Sequence, residues 1–226
     1  FHAVSTFDVL NEMFIRSKFH FGTADERELA GKMIDAVAQE ESYKDEPQIW
    51  IFDRGFPSLS LIQKLLEHRL YFVMRVSSSF LKEVNAFRKS KYVDRVIHIE
   101  YSEHRAAHNH MHAEGISQFD LRCVRIKLSS GKEEILVTNL DRKDFPKRDI
   151  KEIYRLRWGI ETGFNYLKNA VFVEEFVSKT ENGLAQDYFV SLLVYNFATC
   201  ICGSMHPDIP KKENTNTRSI EELPPD

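Results

Sequence analysis

Tyr154, Arg157, Glu161 and Lys168 follow one another at intervals of three, four and seven residues within the segment 153–168, IYRLRWGIETGFNYLK. At about 100° per residue they fall within an arc of roughly 60° on one face of a helix. The set joins a hard oxygen ligand, two cations and a phenol, which is what a site needs to hold a divalent metal and grip a phosphodiester together. The same spacing also suits a solvated helix braced by an i,i+4 pair between Arg157 and Glu161, and spacing alone leaves both readings open. Beside the polar stripe, Ile153, Leu156, Ile160, Phe164, Leu167 and Val171 make an apolar stripe about 80° wide that would pack on a sheet.

The rest of the chain must supply that sheet. Residues 48–53, QIWIFD, form a short apolar run ending in a carboxylate, the pattern of a strand buried on both faces. Gly55 and Pro57 break the chain, residues 59–66 read as a helix, and LYFVMRV at 70–76 reads as the next buried strand. This β-α-β order predicts an α/β fold. Upstream, FHAVSTFDVL and MFIRSKFHF read as two strands joined around Leu10, Asn11 and Glu12, followed by an acidic helix over 25–39. Between 76 and about 139 the helical pattern fades, and VIHIEY, FDLRCVRIKL and EEILVTNL read as strands of a β-rich insertion. The boundaries expected are therefore 1–75, an insertion at 76–138, a helical part at 139–205, and a tail at 206–226 that carries four prolines and forms no packed structure. The uncharged run 188–205, YFVSLLVYNFATCICGSM, reads as a buried helix of the core, not a membrane span, because polar residues interrupt it.

Composition narrows the classes. Of 226 residues, 42% are apolar, enough for a sizeable core, and 31 Lys/Arg against 34 Asp/Glu leave no global basic excess. Nucleic-acid contact must then be local: 76–132 holds ten Lys/Arg against six acids, whereas 25–46 holds eight acids against three bases. Three cysteines do not make a disulfide scaffold and fit a reducing compartment, so a cytoplasmic location is expected.

The pattern Y-x2-R-x3-E-x6-K resembles the signature of DDE transposases of the insertion sequence 4 family, with Tyr154, Arg157, Glu161 and Lys168 as its fixed residues. The block Phe52-Asp53-Arg54-Gly55-Phe56 resembles that family's second-aspartate block, and Thr138-Asn139-Leu140 the strand before its glutamate helix. The resemblance covers nearly all of residues 1–200.

It implies an RNase H-like mixed sheet flanked by helices and interrupted by the insertion. It also implies two divalent ions, Mg²⁺ or Mn²⁺, acting in DNA strand cleavage and strand transfer during transposition. Asp53 and Glu161 would be catalytic metal ligands, and Tyr154, Arg157 and Lys168 would bind DNA. The family's first aspartate lies on a strand upstream of the segment resembling FHAVSTFDVL, so the third ligand is expected before residue 1, with Asp8 a poor substitute. A chain lacking that central strand is expected to fold poorly, IWIF having no neighbour. The implied partners are double-stranded transposon ends and target DNA, met as a homodimer in a bacterial, nucleoid-associated setting, with no membrane contact. Two other readings compete: a DNA-binding remnant that no longer cuts, and another RNase H-like nuclease.

Weaker signals have plainer readings. Histidines 104, 108, 110 and 112 fit a solvated loop better than a metal site. Cys123, Cys200 and Cys202 read as small core residues. Arg122, Arg125 and Lys127 suggest a strand face that could follow a DNA backbone, a solvated face being nearly as good a reading. Trp50 and Trp158 are the only tryptophans, so the insertion offers none to stack on a flipped base.

Overall fold

The computed structural model describes residues 2–23, 25–41, 46–100, 118–128, 131–170, 178 and 180–205. The histidine-rich stretch, Val171 and the expected tail lie outside the described residues. In chain order the elements are β1 (His2–Asp8), β2 (Met13–His20), α1 (Glu26–Ala38), β3 (Ile49–Phe52), α2 (Leu59–Glu67), β4 (Tyr71–Val76) and α3 (Lys82–Lys89). There follow β5 (Asp94–Glu100), β6 (Gln118–Lys127), β7 (Glu133–Thr138), α4 (Lys147–Arg155), α5 (Trp158–Ala170) and α6 (Glu181–Met205). They divide into two compact units, Glu26–Arg155 and the paired segments Phe1–Asp25 with Leu156–Thr217.

The first unit is built on a five-stranded sheet of order β3-β4-β7-β6-β5. The β3/β4 pair is parallel and the remaining pairs are antiparallel, so the sheet is mixed. The short connection through α2 explains the parallel pair, because a crossover helix returns the chain to run in the same direction. Ser58 starts α2 by accepting the Leu61 N–H at 3.2 Å. Phe72, Val73, Met74 and Val76 of β4 are all buried, so both faces of that strand are covered. On the Val73 face, Ile150, Ile153 and Tyr154 of α4 pack with Val124, Ile126 and Leu136. The architecture is α/β and RNase H-like, a mixed sheet flanked by helices, as expected.

Three details differ from the sequence reading. The strands of 76–138 hydrogen-bond into the same sheet as β3 and β4. That segment also contains the helix α3, whose charged sequence KEVNAFRK hides an apolar face of only Val84 and Phe87 and which has no side-chain cap at its start. And β3 is half-buried: among the described residues it pairs on one edge only, with β4, which leaves Ile49, Trp50 and Ile51 partly exposed.

The arginines of β6 serve the fold. Period-two alternation places Arg122 on the face opposite Arg125 and Lys127. Arg122 donates from Nε and Nη2 to the two oxygens of Asp94 at 3.0 and 2.8 Å, and from Nη1 to the carbonyls of Leu140, Asp141 and Phe145. Arg125 donates to the carbonyls of Phe87, Arg88 and Ser90, closing the C-terminus of α3, and pairs with Glu133. Neither is a free backbone-tracking cation. Asn139 extends the sheet by side chain alone, accepting the Phe72 N–H at 2.9 Å and donating to the Leu70 carbonyl at 3.0 Å.

The second unit holds the antiparallel hairpin of β1 and β2 with α5 and α6. Asp8 holds its turn, accepting the N–H groups of Leu10 and Asn11 at 2.9 and 3.1 Å, which is the ordinary work of a turn aspartate. Phe14, Leu167, Tyr188, Leu192 and Tyr195 form the core, and Asn196 of α6 pairs through its amide with both backbone groups of Phe14. The helix expected at 153–168 is instead two, α4 and α5, separated at Leu156 and Arg157, where the Gly159 N–H closes a four-residue turn onto the Leu156 carbonyl. The apolar stripe divides with it: Ile153 packs in the first unit, Ile160, Phe164 and Leu167 in the second.

Gly163 lets α5 close on the hairpin. A Cβ there would lie 3.0 Å from the Phe7 ring and 3.4 Å from that of Phe14. Phe7 and Phe14 are themselves edge-to-face at 4.9 Å, and Phe14 meets Phe164 at 5.1 Å, so the rings have little room to retreat. Gly163→Ala should therefore lose about 1 kcal/mol net, overpacking outweighing the gain in helix propensity. A denaturant midpoint lowered with unchanged slope is the expected record, and a raised one would show that the rings yield.

The apolar helix α6 is buried on one side only. Tyr188, Ser191, Leu192 and Tyr195 face the core, whereas Phe189, Val190, Leu193, Val194, Phe197 and Ile201 are exposed, as are Cys200 and Cys202. The expectation of a fully buried helix and of core cysteines there does not hold, because an element lying on one side of a two-stranded hairpin can bury only the face it turns to it. Cys123 is buried, and burial, with the Asp94 charge, pushes its thiol up to about 12. No described helix is long and apolar enough to cross a membrane.

Candidate active site

The parallel register that pairs Phe52 with Met74 sets the position of Asp53: one residue further on, it stands beside Arg75. Alternation gives Asp53 the same face as Ile49 and Ile51, and Arg75 the same face as Tyr71 and Val73, the face covered by α4. Helix α4 brings Tyr154 to that point. The Tyr154 hydroxyl donates to Asp53 Oδ1 at 3.0 Å, and Arg75 Nε forms an ion pair with the same oxygen at 2.9 Å. Tyr154 is 6% exposed and the Asp53 side chain 38%, so a buried phenol supports a carboxylate that still reaches solvent.

Beyond Arg75 the charges alternate. Its Nη1 lies 3.9 Å from Oε1 of Glu134, a carboxylate with 6% side-chain exposure, and Lys132 Nζ lies 3.1 Å from the same oxygen. Lys132, Glu134, Arg75 and Asp53 thus form a chain of opposite charges ending at the site.

The second unit holds the other residues of the motif. Arg157, in the turn before α5, forms an i,i+4 ion pair with Glu161 and lies with its guanidinium 5.2 Å from the centre of the Trp158 ring. Glu161 and Lys168 are two turns apart on one face of α5, and Lys168 is exposed. The motif is therefore not one stripe on one helix: Tyr154 stands with Asp53, whereas Arg157 in the turn before α5 pairs with Glu161, and Glu161 and Lys168 lie on α5 itself.

The donors suit a hard cation. Asp53 and Glu161 are carboxylates, no cysteine or histidine accompanies them in these groups, and Mg²⁺ is commonly held by one or two carboxylates with water and substrate phosphate completing its shell. Among the described residues, no group of three or more His, Cys, Asp or Glu side chains is gathered closely enough to enclose a metal ion alone. Each carboxylate, within its own unit, suits a divalent ion as one oxygen ligand and supplies only part of its shell.

Sequence reasoning missed Arg75 and Glu134. The available signal was a lone arginine inside the apolar run YFVMRV, one register step beyond a strand ending in aspartate. It becomes legible only when the two strands are known to be parallel and adjacent.

A family model described as "Transposase DDE domain" matches residues 1–197. Among curated proteins, the chain is similar to "Putative transposase y4zB" of Sinorhizobium fredii (strain NBRC 101917 / NGR234), 27% identical over 150 residues, covering 65% of this chain and 40% of that protein. It is also similar to "Putative transposase for insertion sequence element IS4SA" of Synechocystis sp. (strain ATCC 27184 / PCC 6803 / Kazusa), 24% identical over 182 residues, covering 78% of this chain and 46% of that one. The chain spans less than half the length of the curated relatives it matches.

Proposed function

Since the chain belongs to the transposase DDE domain family, we propose that it is the part of a transposase that cleaves DNA strands and joins them to a target with the help of divalent metal ions. The observation that carries this reading is Asp53, a partly exposed carboxylate at the end of β3, held by Tyr154 and Arg75 within the segment matched to the family. Asp53 and Glu161 are the ligands in this proposal, each offering oxygen to Mg²⁺ or Mn²⁺. Two such ions would supply activation of an attacking water or 3′ hydroxyl and stabilisation of the leaving oxygen in an in-line displacement at phosphorus.

Arg157 and Lys168 are proposed to hold backbone phosphates of a transposon end. Lys168 lies exposed on the face of α5 that carries Glu161, so a phosphate gripped there lies along the same face as that carboxylate. Arg157 pairs with Glu161 and neutralises it, so holding a phosphate there would mean that Arg157 gives up part of that pair. The partners proposed are double-stranded transposon ends and target DNA, and joining two ends to one target calls for a homodimer.

Mn²⁺ binding by calorimetry on the full-length natural protein tests the reading. Binding that is lost in Glu161→Gln supports it. Absence of binding, together with DNA affinity whose salt dependence falls by about one counterion in Lys168→Ala, would identify a DNA-binding remnant instead.

A further inference from the structure

We propose that Tyr154 and Arg75 are positioning residues which together fix the carboxylate of Asp53 in a single rotamer. The inference rests on the reading of Asp53 as a metal ligand, and assigns Tyr154 to that carboxylate in place of a DNA phosphate. Two groups converge on one oxygen, Oδ1: the Tyr154 hydroxyl from α4 donates to it at 3.0 Å, and Arg75 Nε from β4 forms an ion pair with it at 2.9 Å without hydrogen-bond geometry. They arrive from different elements, so rotation of the carboxylate about its own axis would break both contacts at once. Neither group is loose. The Tyr154 ring is packed in the core with Ile150 and Ile153, and the far end of Arg75 lies 3.9 Å from Glu134, which Lys132 holds in turn.

The alternative use of Tyr154, as a phosphate contact, demands a hydroxyl that DNA can reach. At 6% exposure the residue is buried, and its hydroxyl is directed at a carboxylate within its own unit. Groups that hydrogen-bond a metal-ligating side chain set its orientation, and their loss commonly weakens metal binding by about 10- to 100-fold. Tyr154 occupies that position relative to Asp53, and Arg75 adds the attraction of its charge to the same oxygen.

The test uses the full-length natural protein with Tyr154→Phe, Arg75→Gln, the double variant and Asp53→Asn. Tyr154→Phe keeps the buried ring, so the fold should survive, as circular dichroism would record. Expected results are Mn²⁺ binding weakened about tenfold in Tyr154→Phe and no further weakening when that change is added to Asp53→Asn. DNA affinity and its salt dependence should be unchanged in Tyr154→Phe. Crystal structures should show one Asp53 rotamer in the parent protein and more than one in the double variant. A single unchanged rotamer in the double variant overturns the proposal. So does a Tyr154→Phe protein that binds Mn²⁺ normally but loses DNA affinity and about one counterion of salt dependence. If Asp53→Asn binds Mn²⁺ as the parent does while the double variant frees the rotamer, the positioning role stands and the ligand assignment of Asp53 fails.

Discussion

Asp53→Asn and Glu161→Gln should each reduce DNA strand cleavage by the full-length protein by roughly a thousandfold or more while leaving affinity for transposon ends nearly unchanged. The magnitude follows from the several kcal/mol of transition-state charge that a bound divalent ion stabilises, every 1.36 kcal/mol being about tenfold in rate. The amides are close in shape to the acids they replace. In Asp53→Asn the remaining side-chain oxygen can still accept the Tyr154 hydroxyl, and in Glu161→Gln the side chain keeps its place on α5, so neither change should disturb packing. Each removes a negative charge and an anionic ligand but no cation, and DNA affinity rests on cations. End-cleavage assays across a Mn²⁺ series, run beside binding titrations at two salt concentrations, separate the two effects. Loss of binding in parallel with loss of cleavage would mean that these carboxylates maintain the fold or the DNA surface, and the assignment of both as metal ligands would fall.

Arg122→Met should be strongly destabilising, by about 3 kcal/mol, because it takes from a buried carboxylate its doubly hydrogen-bonded partner and leaves it only the exposed Arg142 at 3.4 Å. The side chains of Arg122 and Asp94 are 3% and 4% exposed and joined through two hydrogen bonds. The same guanidinium satisfies carbonyls at Leu140, Asp141 and Phe145, which otherwise lose a donor in the segment leading from β7 to α4. Because α4 carries Tyr154, loosening that segment should also reach the site. Removing both charges in Arg122→Met with Asp94→Leu should recover part of the loss, since no charge is then left buried and unpaired.

The pair also predicts a response to acid. Burial by itself raises the Asp94 carboxyl, but the hydrogen bond and charge of Arg122, with the charges of Arg142 and Lys147, outweigh it and hold the group below its ordinary 3.8. A carboxyl lowered in the folded state contributes its stability above the unfolded value and loses it as pH falls through the folded one. Denaturant midpoints of the parent should therefore drop below about pH 4. In Arg122→Met this contribution should shrink, since only the charges of Arg142 and Lys147 are then left to oppose the burial of Asp94. Parallel pH profiles for the two proteins would exclude Asp94 as the source.

The sequence by itself determined the local elements and the chemistry of the motif. The run IWIF followed by Asp53, the Ser58 start of α2 and the apolar LYFVMRV predict β-α-β, and the observed strands and helix differ from those expectations by a residue or so at their ends. Period and cap chemistry act over a few residues, so a linear reading can recover them. The residue types at 154, 157, 161 and 168 likewise carry the family signature without any coordinates.

Only the tertiary structure decided how those residues are grouped. A regular 3.6-residue period treats 153–168 as one helix, but a turn at Leu156 and Arg157 splits it and sends Tyr154 to Asp53 while Arg157 stays with Glu161. The tertiary structure also decided which cations are occupied. Arg122, Arg125 and Lys127 look alike in the sequence, yet Asp94 and a set of carbonyls claim the first, and the end of α3 claims the second. The partners of Arg125 lie between 8 and 38 residues away along the chain, from Glu133 to the Phe87 carbonyl. Periodicity reports which face a residue shares with its near neighbours. What stands opposite that face depends on strand order and register, and these are fixed only when the whole sheet has formed.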